Sequence, residues 1–398
     1  MNAFAQLAFW KNLVTPNGYS YSEIPDLSSK VAIVTGANSG LGYATTVALA
    51  ANGAHVFLAC RSQERALEAI ERIRKEVKET YPTAPEILKL DFLELDLNDM
   101  SKARESAKEF VKKGLPLHIL VNNSGIMATP FELSADGIET QFAVNHMGHF
   151  VFTLGLLDKL KESQPSRIVV MSSMVHEVTP RGGIAFDKLN DEKAISSMAR
   201  YGQSKLANLL FGKALARRLA GEKVYVNVAH PGYVQSNLAN RTGETYGSFT
   251  GRMSIVSAKV FGMKAKEGAL TQLYLATSPQ VEEKDVRGRY YVPIAKEIQP
   301  SSYARDEELQ EKLWTYSENL VKEKIAYITP DRYSIAQTPD LTGKVAIVTG
   351  ANQGLGYITM VALASRGARV FIACRDLKRA RKSVEAALAE FRQKYPYN

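Results

Sequence analysis

Nine consecutive residues, KVAIVTGAN, occur twice in this 398-residue chain, at 30–38 and again at 344–352. The repetition is wider than that run. Residues 15–82 align without a gap to residues 329–396, and 38 of the 68 paired positions are identical. Convergence on a common turn would keep glycines and apolar alternation; it would not keep Tyr81-Pro82 against Tyr395-Pro396. The sequence therefore predicts a duplication, with its joint near Ile328 where Thr329-Pro330 echoes Thr15-Pro16. On this reading the second copy stops after its first quarter. The expected organisation is an N-terminal extension over 1–24, a main domain over 25–328 and a partial duplicate over 329–398.

What is repeated constrains the fold. Residues 31–35 are a short β-rich apolar run ended by Gly36, the signature of a strand buried on both faces. Residues 41–52 are alanine-rich and close at Gly53, a helix with a glycine stop. A second strand over 55–59 and a charged helix over 62–80 follow. Beyond the repeated block the alternation continues, with strands over 87–95, 119–122, 167–172 and 224–229 and helices over 100–113, 142–160 and 199–219. Such regular alternation predicts an α/β fold, a doubly wound parallel sheet with helices on both faces, followed by a partial βαβα unit. Its ligand belongs beyond the carboxyl ends of the strands.

Composition removes other classes. At 45% hydrophobic and 23% charged residues the chain reads as an ordinary globular protein. The net charge of +9 is lopsided, since residues 331–398 hold eleven Lys/Arg against five Asp/Glu. No zinc spacing or RNA-type aromatic strand accompanies that surplus, so it reads as a solvated helix face and not as a nucleic-acid site. Cys60 and Cys374 are one position seen twice, which excludes a disulfide scaffold and a cysteine-held metal. No apolar run approaches the roughly 18 residues of a membrane span. The opening Met1 to Trp10 lacks a basic start. A cytoplasmic chain is expected, with an amphipathic anchor on a membrane surface or an organellar location as the alternative.

Between the first strand and its helix lie Gly36, Asn38, Ser39, Gly40, Leu41 and Gly42. Gly36 permits a tight turn, Gly40 lets a pyrophosphate approach the backbone, and Gly42 allows close packing, while the amides of the helix start bind phosphate. A glycine-rich turn without a ligand would use the same residues. Four further motifs follow in order. They are Asn122-Asn123-Ser124-Gly125, the pair Ser172-Ser173, Tyr201 with Lys205 four residues on, and Pro231-Gly232. Together these resemble the short-chain dehydrogenase/reductase family, with its T-G-x-x-x-G-x-G, N-N-A-G and Y-x-x-x-K motifs, over about residues 27–323. Ser124 stands where that family has alanine. The 28-residue gap from Ser173 to Tyr201, with Arg181-Gly182-Gly183 inside it, resembles the retinol-dehydrogenase-like branch, whose members act on lipophilic aldehydes, ketones and alcohols.

Tyr201 and Lys205 lie one helical turn apart, on one face. Reduction of a carbonyl by hydride needs a proton for the developing alkoxide, and a free tyrosine, titrating near ~10, holds one. A cation at i+4, with a positive nicotinamide ring, is expected to lower that value toward the working pH. The resemblance makes Ser173 the hydroxyl that binds the substrate oxygen and Asn145 the residue that holds a relay water, and it gives Lys205 a second bond to the nicotinamide ribose. It also places Asn122, Pro231 and Gly232 beside the coenzyme. Asp96 resembles an aspartate at the adenine amine; it could equally be an N-cap. Strand two ends Ala59-Cys60-Arg61-Ser62 with no acid before Glu64, so Arg61 is expected to pair with a 2′-phosphate and select NADP, unless it merely caps the next helix. His146, His149 and His176 lack metal spacing and read as loop or packing residues. Residues 236–262, apolar at Met253, Ile255, Val256, Val260 and Phe261, are expected to cover a greasy substrate. The alternatives are a reductase of carbon-carbon double bonds and a non-catalytic NADP-binding sensor.

Overall fold

A computed structural model describes residues 18–235, 245–247, 262–326, 339–351, 354–374 and 376–394. The opening Met1 to Trp10, the joint at Ile328, the apolar residues Met253 to Phe261 and Arg375 lie outside the described residues. The chain divides into two compact units, one ending at Ile325 and the other beginning at Ala326.

The first unit is built on eight strands, β1 (Val31–Thr35), β2 (His55–Cys60), β3 (Leu90–Glu94), β4 (Ile119–Asn122), β5 (Ser166–Met171), β6 (Val224–Ala229), β7 (Tyr290–Val292) and β8 (Lys296–Ile298). Their order across the sheet is β3-β2-β1-β4-β5-β6-β7-β8, parallel except for the last pair. The order reverses between β1 and β4, and a doubly wound sheet opens its ligand crevice there. Every residue of β1, β4, β5 and β6 is buried, so these strands read as continuous apolar runs without alternation.

Helices cover both faces. One layer holds α1 (Gly40–Ala51), α2 (Gln63–Thr80) and α7 (Ala265–Thr277), whose Ala48, Ile73 and Leu273 share a core with Ala32 and Val34. The other holds α3 (Met100–Lys112), α4 (Gly148–Gly155), α6 (Ser197–Arg218) and α8 (Glu307–Ala326), whose Phe110, Phe150, Leu209 and Trp314 share a core with Ile33 and Phe57. The helix expected over 142–160 is broken. A short turn, Thr140–Phe142, passes into a π-helical turn, Ala143–Met147, then α4, and after Leu156 the chain resumes as α5 (Leu157–Glu162). Strand β3 starts at Leu90 and not at 87, because Ile87 is 81% exposed and has no sheet to bury against.

The second unit is β9 (Val345–Thr349), α9 (Gly354–Ser365), β10 (Arg369–Ala373) and α10 (Leu377–Lys394), with the two strands parallel. Among the described residues no helix is long and apolar enough to cross a membrane.

Candidate active site

The glycine loop has the geometry its sequence requires. Gly36 and Gly40 sit at φ +66° and +54°, where a side chain would strain the backbone. A Cβ on Gly42 would stand 2.4 Å from the Gly36 carbonyl oxygen and 2.6 Å from Asn123 Nδ2, so this glycine lets α1 close on the loop itself. Ser39 is the extended N-cap residue of α1, which leaves the first amides of Gly40, Leu41 and Gly42 without intrahelical partners. Arg72 of α2 donates to the Asn38 carbonyl at 2.9 Å. Beneath the loop lies Cys60, whose thiol burial pushes up to about 11 while the Asn38 and Ala37 amides oppose the rise.

Arg61 follows β2 directly and is exposed. It does not cap the next helix. Ser62 does, its hydroxyl accepting from the Arg65 amide at 3.3 Å. Asp96 is likewise no N-cap, since Asp99 takes that place for α3, and Asp96 instead accepts from the Asn98 amide at 3.0 Å. The side chain of Asn122 donates to Thr153 Oγ1 at 2.7 Å, with 1% of the residue exposed. Its neighbour Asn123, which the motif reading left without a role, donates from Nδ2 to the Thr35 carbonyl at 2.8 Å and braces the glycine loop. Pro231 and Gly232 close β6. A Cβ on Gly232 would meet Met263 Sδ and Pro293 Cγ, each at 2.9 Å.

Tyr201 and Lys205 emerge from the first turns of α6, whose start is capped by Ser196. Both are nearly buried, at 3% and 4% exposed. Ser173 lies just beyond the carboxyl end of β5, its side chain close enough to the Tyr201 hydroxyl to lower that group's pKa, and the Val175 amide donates to its Oγ at 3.2 Å. Ser172 is not available for this, because its Oγ donates to the Lys205 carbonyl at 2.8 Å. The expected lowering of the tyrosine depends on a bound nicotinamide ring as well as on Lys205, and the protein's own groups act the other way. Burial pushes Tyr201 up to about 12, and Ser173 offsets only part of the rise. Lys205 is held down to about 8 by burial, and its Nζ turns to the Met171 carbonyl at 3.3 Å, 5.8 Å from the Tyr201 ring centroid.

Asn145 lies in the π-helical turn, fully buried, with its amide spent on protein. Oδ1 accepts from the Ile126 amide at 2.8 Å, and Nδ2 donates to the Ile126 carbonyl at 3.0 Å and Ser204 Oγ at 2.8 Å. Its main-chain carbonyl lies 3.1 Å from His149 Nδ1. His146, His149 and His176 are buried, and burial holds them neutral at about 3, 4 and 4. Each has a hydrogen-bond partner, so they are more than packing. Among the described residues no cluster could hold a metal ion.

The residues fit a nicotinamide coenzyme. An ammonium has three donors, and the bond to Met171 uses one of those on Lys205, leaving two buried donors for a bound group. Gly125 keeps the adjoining space open, since a Cβ there would stand 3.1 Å from Asn145 Oδ1 and 3.3 Å from Lys205 Nζ. The expected substrate cover, residues 236–262, lies outside the described residues except at 245–247 and 262.

Residues 30–187 match the short chain dehydrogenase family. Retinol dehydrogenase 14 of Homo sapiens is 41% identical over 300 residues, 74% of this chain and 87% of that protein. The chloroplastic short-chain dehydrogenase TIC 32 A of Brassica napus is 39% identical over 75% of this chain and 90% of its own length. Among solved structures, an uncharacterised protein from Mycobacterium paratuberculosis superposes with a TM-score of 0.59 at 32% identity, covering 77% of this chain and 98% of that one. A polyketide ketoreductase crystallised with NADPH shares the fold alone, with a TM-score of 0.51 at 22% identity.

Proposed function

The chain belongs to the short-chain dehydrogenase/reductase family, as an oxidoreductase related to retinol dehydrogenases, and from that premise we propose that it is NADP-dependent and moves hydride between the nicotinamide and a small lipophilic carbonyl or alcohol. The observation that carries this reading is the convergence of Ser173, Tyr201 and Lys205 at the carboxyl end of β5, beside the glycine loop. When bound, the coenzyme supplies or accepts the hydride.

The protein's own groups handle the proton. Tyr201, at about 12, stays protonated at neutral pH and is ready to donate to an alkoxide. Ser173, beside the Tyr201 hydroxyl, offers a second donor to the same oxygen, where charge develops in the transition state. Lys205, charged below about pH 8, holds the ribose and favours the transient tyrosinate. Asn145, Asp96, Asn122, Pro231 and Gly232 keep the roles that their motif positions imply, and the bond from Asn122 to Thr153 ties the end of β4 to α4.

The NADP preference rests on Arg61, exposed at the end of β2 with helix capping left to Ser62. A planar guanidinium there suits a 2′-phosphate. The lipophilic substrate class rests on the relatives, three of which are named for retinol. We further propose that residues 329–398 are a partial duplicate of the coenzyme half, because the sequence recurs and, among the described residues, so does the β-α-β-α order. A product-resolved screen of lipophilic aldehydes, ketones and enones with NADPH and with NADH tests the function. Alcohol products with NADPH support it; saturated ketones from enones, or cofactor binding with no turnover at all, overturn it.

A further inference from the structure

His149 lies one helical turn beyond Asn145, 2% exposed, and both of its ring nitrogens are engaged. Its proton can be placed from its neighbours. Thr35 Oγ1 accepts from the Asn123 amide at 2.9 Å and from the Ser124 amide at 2.8 Å. A hydroxyl has two acceptor positions and one proton. Both acceptor positions of Thr35 are filled, so its O–H is left to donate to His149 Nε2, 2.9 Å away. A neutral imidazole that accepts at Nε2 carries its proton on Nδ1. That Nδ1–H points to the Asn145 carbonyl oxygen at 3.1 Å. The bonds thus have one consistent direction, from Thr35 through the ring to Asn145.

The two ends of this chain are separate parts of the site. Thr35 is the last residue of β1, and the glycine loop begins at its neighbour Gly36. Asn145 sits in the π-helical turn, a distortion that tends to mark function, and its side chain is already closed on Ile126 and Ser204. The carbonyl of that turn is therefore the group His149 governs. We propose that His149 is a positioning residue that serves both halves of the site through different nitrogens, Nε2 fixing the start of the coenzyme loop and Nδ1 fixing the Asn145 carbonyl. The kinetic part of this proposal rests on the oxidoreductase reading; the structural part does not.

Two isosteric variants separate the nitrogens. In His149→Gln the amide oxygen reaches the Nε2 position and can accept from Thr35, while nothing replaces Nδ1–H. In His149→Asn the amide nitrogen occupies the Nδ1 position and can donate to Asn145, while nothing reaches Thr35. His149→Phe loses both. Backbone hydrogen exchange over residues 36–42 and 143–149, NADPH affinity and kcat are measured for all three variants and the wild type. His149→Gln is expected to keep wild-type protection over 36–42 and NADPH affinity within about threefold, but to lose protection over 143–149 and about tenfold in kcat, the size of one buried hydrogen bond. His149→Asn is expected to show the reverse pattern, and His149→Phe both losses. If the Gln and Asn variants match each other, whether at wild-type values or with losses parallel to those of Phe, His149 only fills space and the proposal is overturned. A wild type that turns over no carbonyl defeats the functional reading alone, because the exchange pattern still decides for or against His149.

Discussion

Strands β1 and β2 of the first unit and β9 and β10 of the second are nearly the same sequence in two surroundings. Their local structures agree closely. Val31 faces His55 across the first pair, and Val345 faces Arg369 at the same register across the second. Gly36 and Gly350 sit at φ +66° and +64°, and a Cβ on Gly42 or Gly356 would strike the carbonyl of that glycine at 2.4 or 2.5 Å. Burial is where they part. Val31, Ile33 and Phe57 are 7%, 0% and 1% exposed, while Val345, Ile347 and Phe371 are 65%, 72% and 49% exposed. The covering residues of the first unit, Met100, Phe110, Leu120 and Phe150 among them, all come from beyond the repeated block. Burying a side chain of this kind contributes about 1.5–3 kcal/mol, so three of them decide much of a small unit's stability. A block of sequence can specify turns, register and helix boundaries by itself, but not a core.

Chemistry divides along the same line. The paired block 329–396 contains no counterpart of Asn145, Ser173, Tyr201 or Lys205, so any turnover must come from the first unit. Tyr201→Phe is therefore expected to lower kcat by about 10³-fold, the scale of a lost general acid, with NADPH affinity within a few-fold of wild type. Steady-state kinetics beside a fluorescence titration of NADPH checks both halves. Comparable rates in the variant would remove Tyr201 from the mechanism.

The next largest contrast is in stability. Ile33→Asp buries a charge where the wild-type residue is fully covered, and roughly 4 kcal/mol or more should be lost. Ile347→Asp makes the same change at a position 72% exposed and should stay within about 0.5 kcal/mol. Thermal or urea unfolding of the pair reads the difference. Equal losses would mean that the second unit is covered after all.

Arg61→Asp should weaken NADPH binding by about 10- to 100-fold, the worth of charge-assisted bonds to a phosphate, and improve NADH through a new ribose acceptor. Arg375 is the residue paired with Arg61 in the aligned blocks, and Arg375→Asp should leave the ratio of the two coenzymes unchanged. A ratio that responds to Arg375 and not to Arg61 would reverse the assignment of the two blocks.

The effect of pH should be smaller still. Reduction needs Tyr201 protonated, which holds up to about pH 12, and Lys205 charged, which holds below about pH 8. The rate with NADPH should be level near neutrality and fall by about one decade per pH unit beyond Lys205's value. Unfolding does not explain such a fall through this group. Lys205 is depressed from 10.5 to about 8, so between those values the unfolded chain binds the extra proton and stability rises with pH. A rate that climbs through pH 8 would show that Lys205 is not needed in its charged form.

How much of this was legible in the sequence depended on whether a residue's role is local. Tyr201 and Lys205 were legible because they fit the Y-x-x-x-K motif of the resembled family and helical spacing puts them on one face, and Gly36 because a turn demands it. The β-α alternation was legible through β6. Strands β7 and β8 were not, since three-residue strands carry no periodicity, and α7 was missed because it is buried almost all round. Residues 142–160 mix Asn145, His146 and His149 into an otherwise apolar run, and a helical pattern of this kind does not distinguish an α-turn from the π-helical turn that holds Asn145. Asn122 and Asn123 look alike in sequence, yet one serves Thr153 and the other the glycine loop. The rise of Tyr201 to about 12 was hidden for a similar reason: spacing shows a cation nearby but not the burial that outweighs it. His149 was passed over because its partners, Thr35 and Asn145, come together only in the folded chain, although a histidine four residues after that asparagine was a usable hint.

The smallest expected effect comes from removing residues 329–398 altogether. Deleting residues 329–398 leaves α8 in place, and with it Leu309, Leu313, Trp314 and Ile325, which belong to the core of the first unit. Trp314 also lies 3.9 Å from the Arg218 guanidinium of α6, so α8 is tied to the helix that carries Tyr201 and Lys205. Every residue assigned to the site, from Gly36 to Gly232, precedes the cut. Turnover, NADPH affinity and the melting temperature of the first domain should therefore change by no more than about twofold in rate or affinity and about 2 °C in Tm. A cut at residue 306 provides the contrast, because it strips α8 and exposes Phe150 and Phe211, the rings on which Trp314 packs. That shorter chain should be destabilised by roughly 3–5 kcal/mol, the cost of deleting a large buried aromatic, or fail to fold. If the cut at 329 proves as damaging as the cut at 306, residues 329–398 complete the first domain, and the two copies are not independent units.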